Sequence, residues 1–149
     1  MLKIMNKIES ALQRTRDTKA LFIGKGVVAR TAEMFNKLFP GKTAVIIADT
    51  NTWEVAGKAV EASLQEAGVP MAEKLVIDDP ELYAEWRFIE MIEDFLKDRD
   101  VIAIAVGSGV INDLTKLVSG RLGRKYMCVG TAVSMDGYTA YGASITKDG

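Results

Sequence analysis

The chain has 149 residues, 48% hydrophobic and 26% charged, with 19 Lys and Arg against 20 Asp and Glu for a net charge of −1. That length suits one domain able to bury about 70% of the surface its unfolded form exposes. The balanced charge lacks the clustered positive excess that nucleic acid or an anionic membrane demands, so neither is an expected partner.

The opening "MLKIMNKIES" is interrupted by Lys3, Asn6 and Lys7, too often for a signal-peptide core. Ile4, Ile8 and Leu12 recur at four-residue spacing and predict a helix over 1–16. "ALFIG" (20–24) reads as a first strand, followed by a helix over 27–39 carrying Val27, Val28, Met34, Phe35 and Leu38. "TAVIIAD" (43–49) reads as a second strand. The helix after it, over 52–67, has Asn51 and Glu54 at capping-box spacing and closes at Gly68 with Pro70 beyond. "KLVID" (74–78) is a third strand. A helix over 81–97 places Phe88, Ile92 and Phe95 on one stripe, with Arg87, Glu90, Glu93 and Asp94 mostly toward solvent. "VIAIAVG" (101–107) is the most apolar strand, a helix follows from Val110 to Leu122, and "KYMCVG" (125–130) completes the set. The strands are continuous apolar runs, as expected of a parallel sheet covered on both faces. Their alternation with helices predicts an α/β fold, Rossmann-like and doubly wound, with a mainly parallel sheet and helices on both sides.

The chain contains no His, which excludes a Ser-His-Asp triad, a Cys-His pair and any histidine-containing metal site within these residues. Its one cysteine, Cys128, sits in an apolar strand and reads as buried and inert. A lone cysteine fits a reducing, cytoplasmic setting.

Two glycine loops compete for a phosphate. "GKGVVA" (24–29) matches G-x-G-x-x-G/A after a predicted strand, with Asp49 at the end of the next strand. "VGSGVINDLTK" (106–116) leaves the most apolar strand and enters a helix. Gly107, Ser108 and Gly109 would let backbone N–H groups approach an anion, and Asn112 and Asp113 follow in the first helical turn. Alternatively, Asp113 only complements the helix dipole and Lys116 is solvated. "GTAVSMDGYT" (130–139) gathers Thr131, Ser134 and Asp136 after a strand, where ligands bind in open α/β sheets; a polar capping turn explains the same residues.

Taken together, "GSGVINDLTK", "RLGRKYMCVGTAVSMDGYT" and "GASITKDG" resemble the sn-glycerol-1-phosphate dehydrogenase family, its bacterial branch in particular, within the wider group of glycerol dehydrogenase, iron-containing alcohol dehydrogenases and dehydroquinate synthase. The resemblance is sharp over 106–149 and lies in element order over 17–105. It implies an N-terminal nucleotide-binding domain spanning 1–149, with a helical second domain absent from this sequence. It also implies NADH- or NADPH-linked reduction of dihydroxyacetone phosphate, a phosphorylated triose, to sn-glycerol 1-phosphate, with a divalent metal (Zn, Ni or Fe) polarising the carbonyl. By the same resemblance, Gly107, Ser108, Gly109, Val110, Ile111, Asn112 and Asp113 would hold the cofactor pyrophosphate and approach its nicotinamide half. Thr131, Ala132, Val133 and Ser134 would bind the cofactor further, and Asp136 would sit beside the substrate. Asp49 would take the adenine-side ribose and favour NAD over NADP, which leaves Gly24–Ala29 as a tight turn. Members often carry Ser where this chain has Ala140. Their metal ligands, one Asp and two His, lie downstream of Gly149, so this chain is expected to be the first domain of a two-domain enzyme, cut at an Asp148-Gly149 hairpin turn and without turnover by itself. A homo-oligomer is expected. The alternatives are a non-catalytic nucleotide-binding module, or the same domain of a glycerol or iron-containing alcohol dehydrogenase.

Overall fold

The computed structural model describes residues 2–132 and 137–147. Helix α1 (Leu2–Leu12) leads into an extended stretch and a 3-10 turn at Val27–Arg30, then α2 (Thr31–Leu38) and β1 (Thr43–Asp49). Next come α3 (Thr50–Thr52), a π-helical turn at Trp53–Gly57 and α4 (Lys58–Glu66), followed by β2 (Leu75–Ile77). The chain continues through α5 (Trp86–Leu96), β3 (Val101–Gly107), α6 (Gly109–Arg121) and β4 (Tyr126–Gly130) to a 3-10 turn at Gly137–Thr139.

The four strands form one parallel sheet in the order β2-β1-β3-β4. Alternation along the strands builds two cores. Ala44, Ile46 and Ala48 of β1, with Ile104 and Val106 of β3, face Met34 and Phe35 of α2 and Val60 and Leu64 of α4. Val45, Ile47, Ala103 and Ala105 point the other way, against Phe88, Ile89 and Ile92 of α5 and Ile111, Leu114 and Val118 of α6. Each fully buried Ile, Leu or Phe contributes roughly 1.5–3 kcal/mol of transfer free energy. The sheet is therefore covered on both faces, as its continuous apolar strands predict. Among the described residues, no helix is long and apolar enough to cross a membrane.

Several boundaries differ from the sequence-based expectation. The predicted first strand at 20–24 is extended chain without a sheet ladder. Ala20 and Phe22 pack onto the α2–α4 layer, Arg30 lies over the Phe22 ring at 4.2 Å, and Ile23 is 69% exposed. An apolar run becomes a strand only where a sheet edge pairs with its backbone, and this one is bound through side chains alone. The predicted capping box at Asn51 and Glu54 lies instead at Asp49 and Thr52. Thr52 N–H donates to Asp49 Oδ1 at 2.9 Å and Asp49 N–H donates to Thr52 Oγ1 at 3.1 Å. Glu54 pairs with Lys58 one turn on.

The helix predicted from 81 begins only at Trp86. Asp79 Oδ1 accepts from Glu81 N–H in a local turn, and Glu85 is extended at φ −115° and ψ 156°. That extended backbone is held by a parallel bridge between Glu85 and Thr146. Trp86 N–H donates to the Thr146 carbonyl at 3.0 Å, and Thr146 N–H to the Ala84 carbonyl at 2.7 Å. Residues 142–147 thus lead back to the start of α5, while the expected hairpin turn at Asp148-Gly149 lies outside the described residues.

Candidate functional site

The chain runs from β1 outward to β2, then back past β1 to β3, so winding reverses between β1 and β3. In open parallel sheets the carboxyl ends at such a reversal diverge and leave a crevice for ligands. Three residues stand on this rim. Ala48 pairs with Val106, so the next residues, Asp49 and Gly107, end neighbouring strands; Gly107 in turn pairs with Gly130 of β4.

Gly107 allows α6 to start flush against the strand, since a Cβ there would stand 2.6 Å from Ile111 Cβ. Ser108 is extended (φ −86°, ψ −164°) and N-caps α6 through its carbonyl, which accepts from Asn112 N–H at 3.1 Å; its hydroxyl makes no capping bond. The N–H groups of Gly109, Val110 and Ile111 have no carbonyl within the helix to accept from them. They and the positive end of a 13-residue helix face the rim together, an arrangement receptive to an anion.

The β4 side of the rim is closed by Tyr138. Its ring lies over Gly130, where a Cβ would meet it at 2.8 Å. Its hydroxyl accepts from Ala132 N–H at 3.1 Å and has the Ala132 and Gly107 carbonyls at 3.1 and 3.4 Å as acceptors. Thr131 N–H donates to the Gly107 carbonyl at 3.0 Å. Sequence reasoning missed Tyr138. A glycine ending a strand, with an aromatic a few residues on, is the faint signal that could have found it.

The structure gathers Gly107, Ser108, Gly109, Val110, Thr131 and Ala132 at one place, with Asp49 beside Gly107. Asp49 is half-buried; its Oδ1 serves as the N-cap of α3, leaving Oδ2 for a ligand. Ile111 is fully buried beneath the turn. Asn112 is 1% exposed and points into the α6–β4 interface, where its Oδ1 accepts from the Tyr126 hydroxyl at 2.8 Å. Asn112 Nδ2 and, one turn on, Thr115 Oγ1 have no partner among the described residues. Asp113 accepts from Ser144 N–H at 3.1 Å and neighbours Lys116, whose side chain is largely covered rather than freely solvated. Val133, Ser134 and Asp136 lie outside the described residues. The competing loop at 24–29 is a turn with left-handed Gly26 (φ 75°) that opens a four-residue 3-10 helix. With no ladder-paired strand ahead of it, it lacks the strand–turn–helix context of a dinucleotide fingerprint.

Cys128, at the α6–β4 interface, has its thiol pushed up to about 12, chiefly by burial, with Lys116 lowering and Asp113 raising it. Burial likewise raises the Tyr126 phenol, followed by Cys128 and Asp113. Neither group is poised to ionise near neutral pH. Among the described residues, no group of three or more His, Cys, Asp or Glu is gathered to hold a metal ion.

These features define a doubly wound α/β domain with an anion-receptive glycine turn at its switch point. The chain belongs to the iron-containing alcohol dehydrogenase family, whose model matches residues 22–149. It is similar to the glycerol-1-phosphate dehydrogenase [NAD(P)+] of Halalkalibacterium halodurans, 34% identical over 107 residues that make up 70% of this chain and 27% of that protein. The protein of the same description from Pyrococcus furiosus is 31% identical over 128 residues, 85% of this chain and 35% of that one. Among solved structures, glycerol dehydrogenase from Schizosaccharomyces pombe shares the fold, with a TM-score of 0.61 at 22% identity over 74% of this chain and 27% of that one. The chain thus spans about a third or less of the length of these relatives.

Proposed function

We propose that this chain is the nicotinamide-nucleotide-binding domain of a glycerol-1-phosphate dehydrogenase that reduces dihydroxyacetone phosphate to sn-glycerol 1-phosphate. The observation that carries this reading is the Gly107–Gly109 turn, which delivers the open N-terminus of α6 to the switch point beside Asp49. The glycines keep side chains out of the way of a pyrophosphate, and the helix N–H groups and dipole stabilise its charge. Asp49 Oδ2 accepts from a ribose 2′-hydroxyl and repels a 2′-phosphate, which favours NADH over NADPH. When bound, the cofactor supplies the hydride. The curated relatives, described as glycerol-1-phosphate dehydrogenases, support the substrate assignment. Val133 and Ser134 are assigned to the cofactor and Asp136 to the substrate by the same family resemblance.

The residues here do not fit the family's divalent metal, since the described carboxylates and Cys128 are not clustered and the chain has no His. Carbonyl polarisation therefore falls to residues outside this chain, and the 149-residue protein is expected to bind cofactor without turnover. The complete enzyme is assigned to the cytoplasm as a homo-oligomer.

Titration with NADH and with NADPH, followed by quenching of Trp53 and Trp86 and checked by calorimetry, tests this reading. Saturable binding that prefers NADH and is weakened by Gly109→Arg and Asp49→Ala is expected, with no sustained NADH consumption when dihydroxyacetone phosphate and metal are added. Binding that survives Gly109→Arg but is lost in Gly24→Arg would move the site to the first glycine loop. Failure to bind either nucleotide would refute an autonomous cofactor domain.

A further inference from the structure

Two charged side chains on α6 are turned toward the chain that follows β4. Lys116 Nζ donates to the carbonyls of Ala140 at 2.8 Å, Gly142 at 3.1 Å and Gly137 at 3.4 Å. Asp113, nearly one turn earlier, accepts from Ser144 N–H at 3.1 Å and lies 3.7 Å from the same ammonium. An ammonium has three hydrogens, and three main-chain carbonyls use them all. The Lys116 side chain is only 13% exposed, whereas Lys58 and Lys97, each in an ordinary intrahelical ion pair, are 58% and 50% exposed. Lys116 is therefore more than a surface pair on a helix.

We infer that Asp113 and Lys116 form a latch that seats residues 137–144 against α6 and so fixes the wall of the crevice on its β4 side, with Lys116 as a positioning residue. Because the latch grips backbone carbonyls and an N–H, it is indifferent to the side chains at 137, 140, 142 and 144. Beyond it, Thr146 is tied to Ala84 and Trp86, and Lys147 lies over the Trp86 ring at 4.8 Å, so the segment runs as one track from α6 to the start of α5. Resting on the function proposed above, the latch has a directional consequence. The nicotinamide half of the cofactor lies toward β4 and the latched segment, while the ADP half lies toward Asp49 and the glycine turn. Releasing Lys116 loosens the first side and leaves the second intact.

Hydrogen exchange read by mass spectrometry on the 149-residue chain tests the latch, with amides of Ala140, Ser144 and Thr146 as reporters. Lys116→Met is expected to speed their exchange at least tenfold while β1 and β3 keep their protection. Lys116→Arg should recover part of the loss, and Asp113→Asn should deprotect chiefly Ser144. In the binding arm, Lys116→Met should weaken NADH about tenfold and leave ADP unchanged. Unchanged exchange in Lys116→Met refutes the latch, as does deprotection that spreads equally into β1 and β3. Equal losses for NADH and ADP refute the positioning role. If the unmodified chain binds neither nucleotide, the cofactor reading fails and the exchange result alone decides the latch.

Discussion

Replacing Gly107 with alanine tests whether the close seating of α6 on β3 is a steric requirement. A Cβ at this position would meet Ile111 Cβ at 2.6 Å, Cγ1 at 2.9 Å and Cγ2 at 3.1 Å. Gly107 is not one of the glycines with left-handed backbone, so the cost is contact rather than torsion. The nearest atom is the branch carbon of a fully buried side chain, which no rotamer change can withdraw. The first turn of α6 must therefore move. Overpacking of this kind costs typically 1–3 kcal/mol. At a urea dependence of about 2 kcal/mol/M, a loss of about 2 kcal/mol lowers the unfolding midpoint by roughly 1 M. Gly120, on the exposed side of the same helix, provides the control, since nothing lies within 4 Å of its added Cβ. Gly120→Ala should raise stability by roughly 0.5–1 kcal/mol through helix propensity alone. The two variants should move the midpoint in opposite directions, and Gly107→Ala should also weaken NADH by displacing the first-turn N–H groups. A Gly107→Ala midpoint at or above that of the unmodified chain would refute the packing argument.

Asp49→Ala removes the N-cap of α3 and should cost about 1 kcal/mol in urea unfolding, whereas Asp49→Asn keeps an acceptor for Thr52 N–H and should cost less than half of that; both should erase the proposed preference for NADH over NADPH, which separates capping from cofactor choice. Cys128 should react with a disulfide reagent at pH 8 at least 100-fold more slowly in the native chain than in urea, because burial pushes its thiol from 9.0 up to about 12. A raised thiol value means that its share of stability is complete below about pH 9 and is lost as pH rises toward 12, so unfolding midpoints compared at pH 8 and pH 10.5 should fall at the higher pH, and less so in Cys128→Ala.

The architecture was largely legible in the strands that the sheet covers on both faces. "TAVIIAD" and "VIAIAVG" have no polar alternation, and the observed β1 and β3 match them residue for residue. The run at 20–24 looks equally apolar, yet periodicity reports burial and not pairing, and Phe22 gains its partial burial against the α2–α4 side of the core without a ladder. The π turn at Trp53–Gly57 left no readable period; its geometry shows only once Gly57 is seen to admit the Trp53 ring where a Cβ would collide. At the rim, the glycine turn announced itself because its requirement is local. Lys116 did not, because its partners lie 21 to 26 residues further along the chain and are main-chain carbonyls, which carry no side-chain signature. The burial of the Asn112 side chain was hidden for a related reason: a polar residue in the first turn of a helix reads as solvent- or ligand-facing unless the tyrosine that pairs with it is known in advance.

The rim formed by Asp49, Gly107 and Gly130 is spaced by the rungs of a parallel ladder, not by the side chains above it. Its geometry is thus inherited from backbone hydrogen bonding, which mutation of surface residues cannot alter. Segments beyond that edge are free to drift in sequence while the edge stays still. A fold arranged in this way keeps a fixed edge under variable loops, and that division of labour is what lets one scaffold host many chemistries.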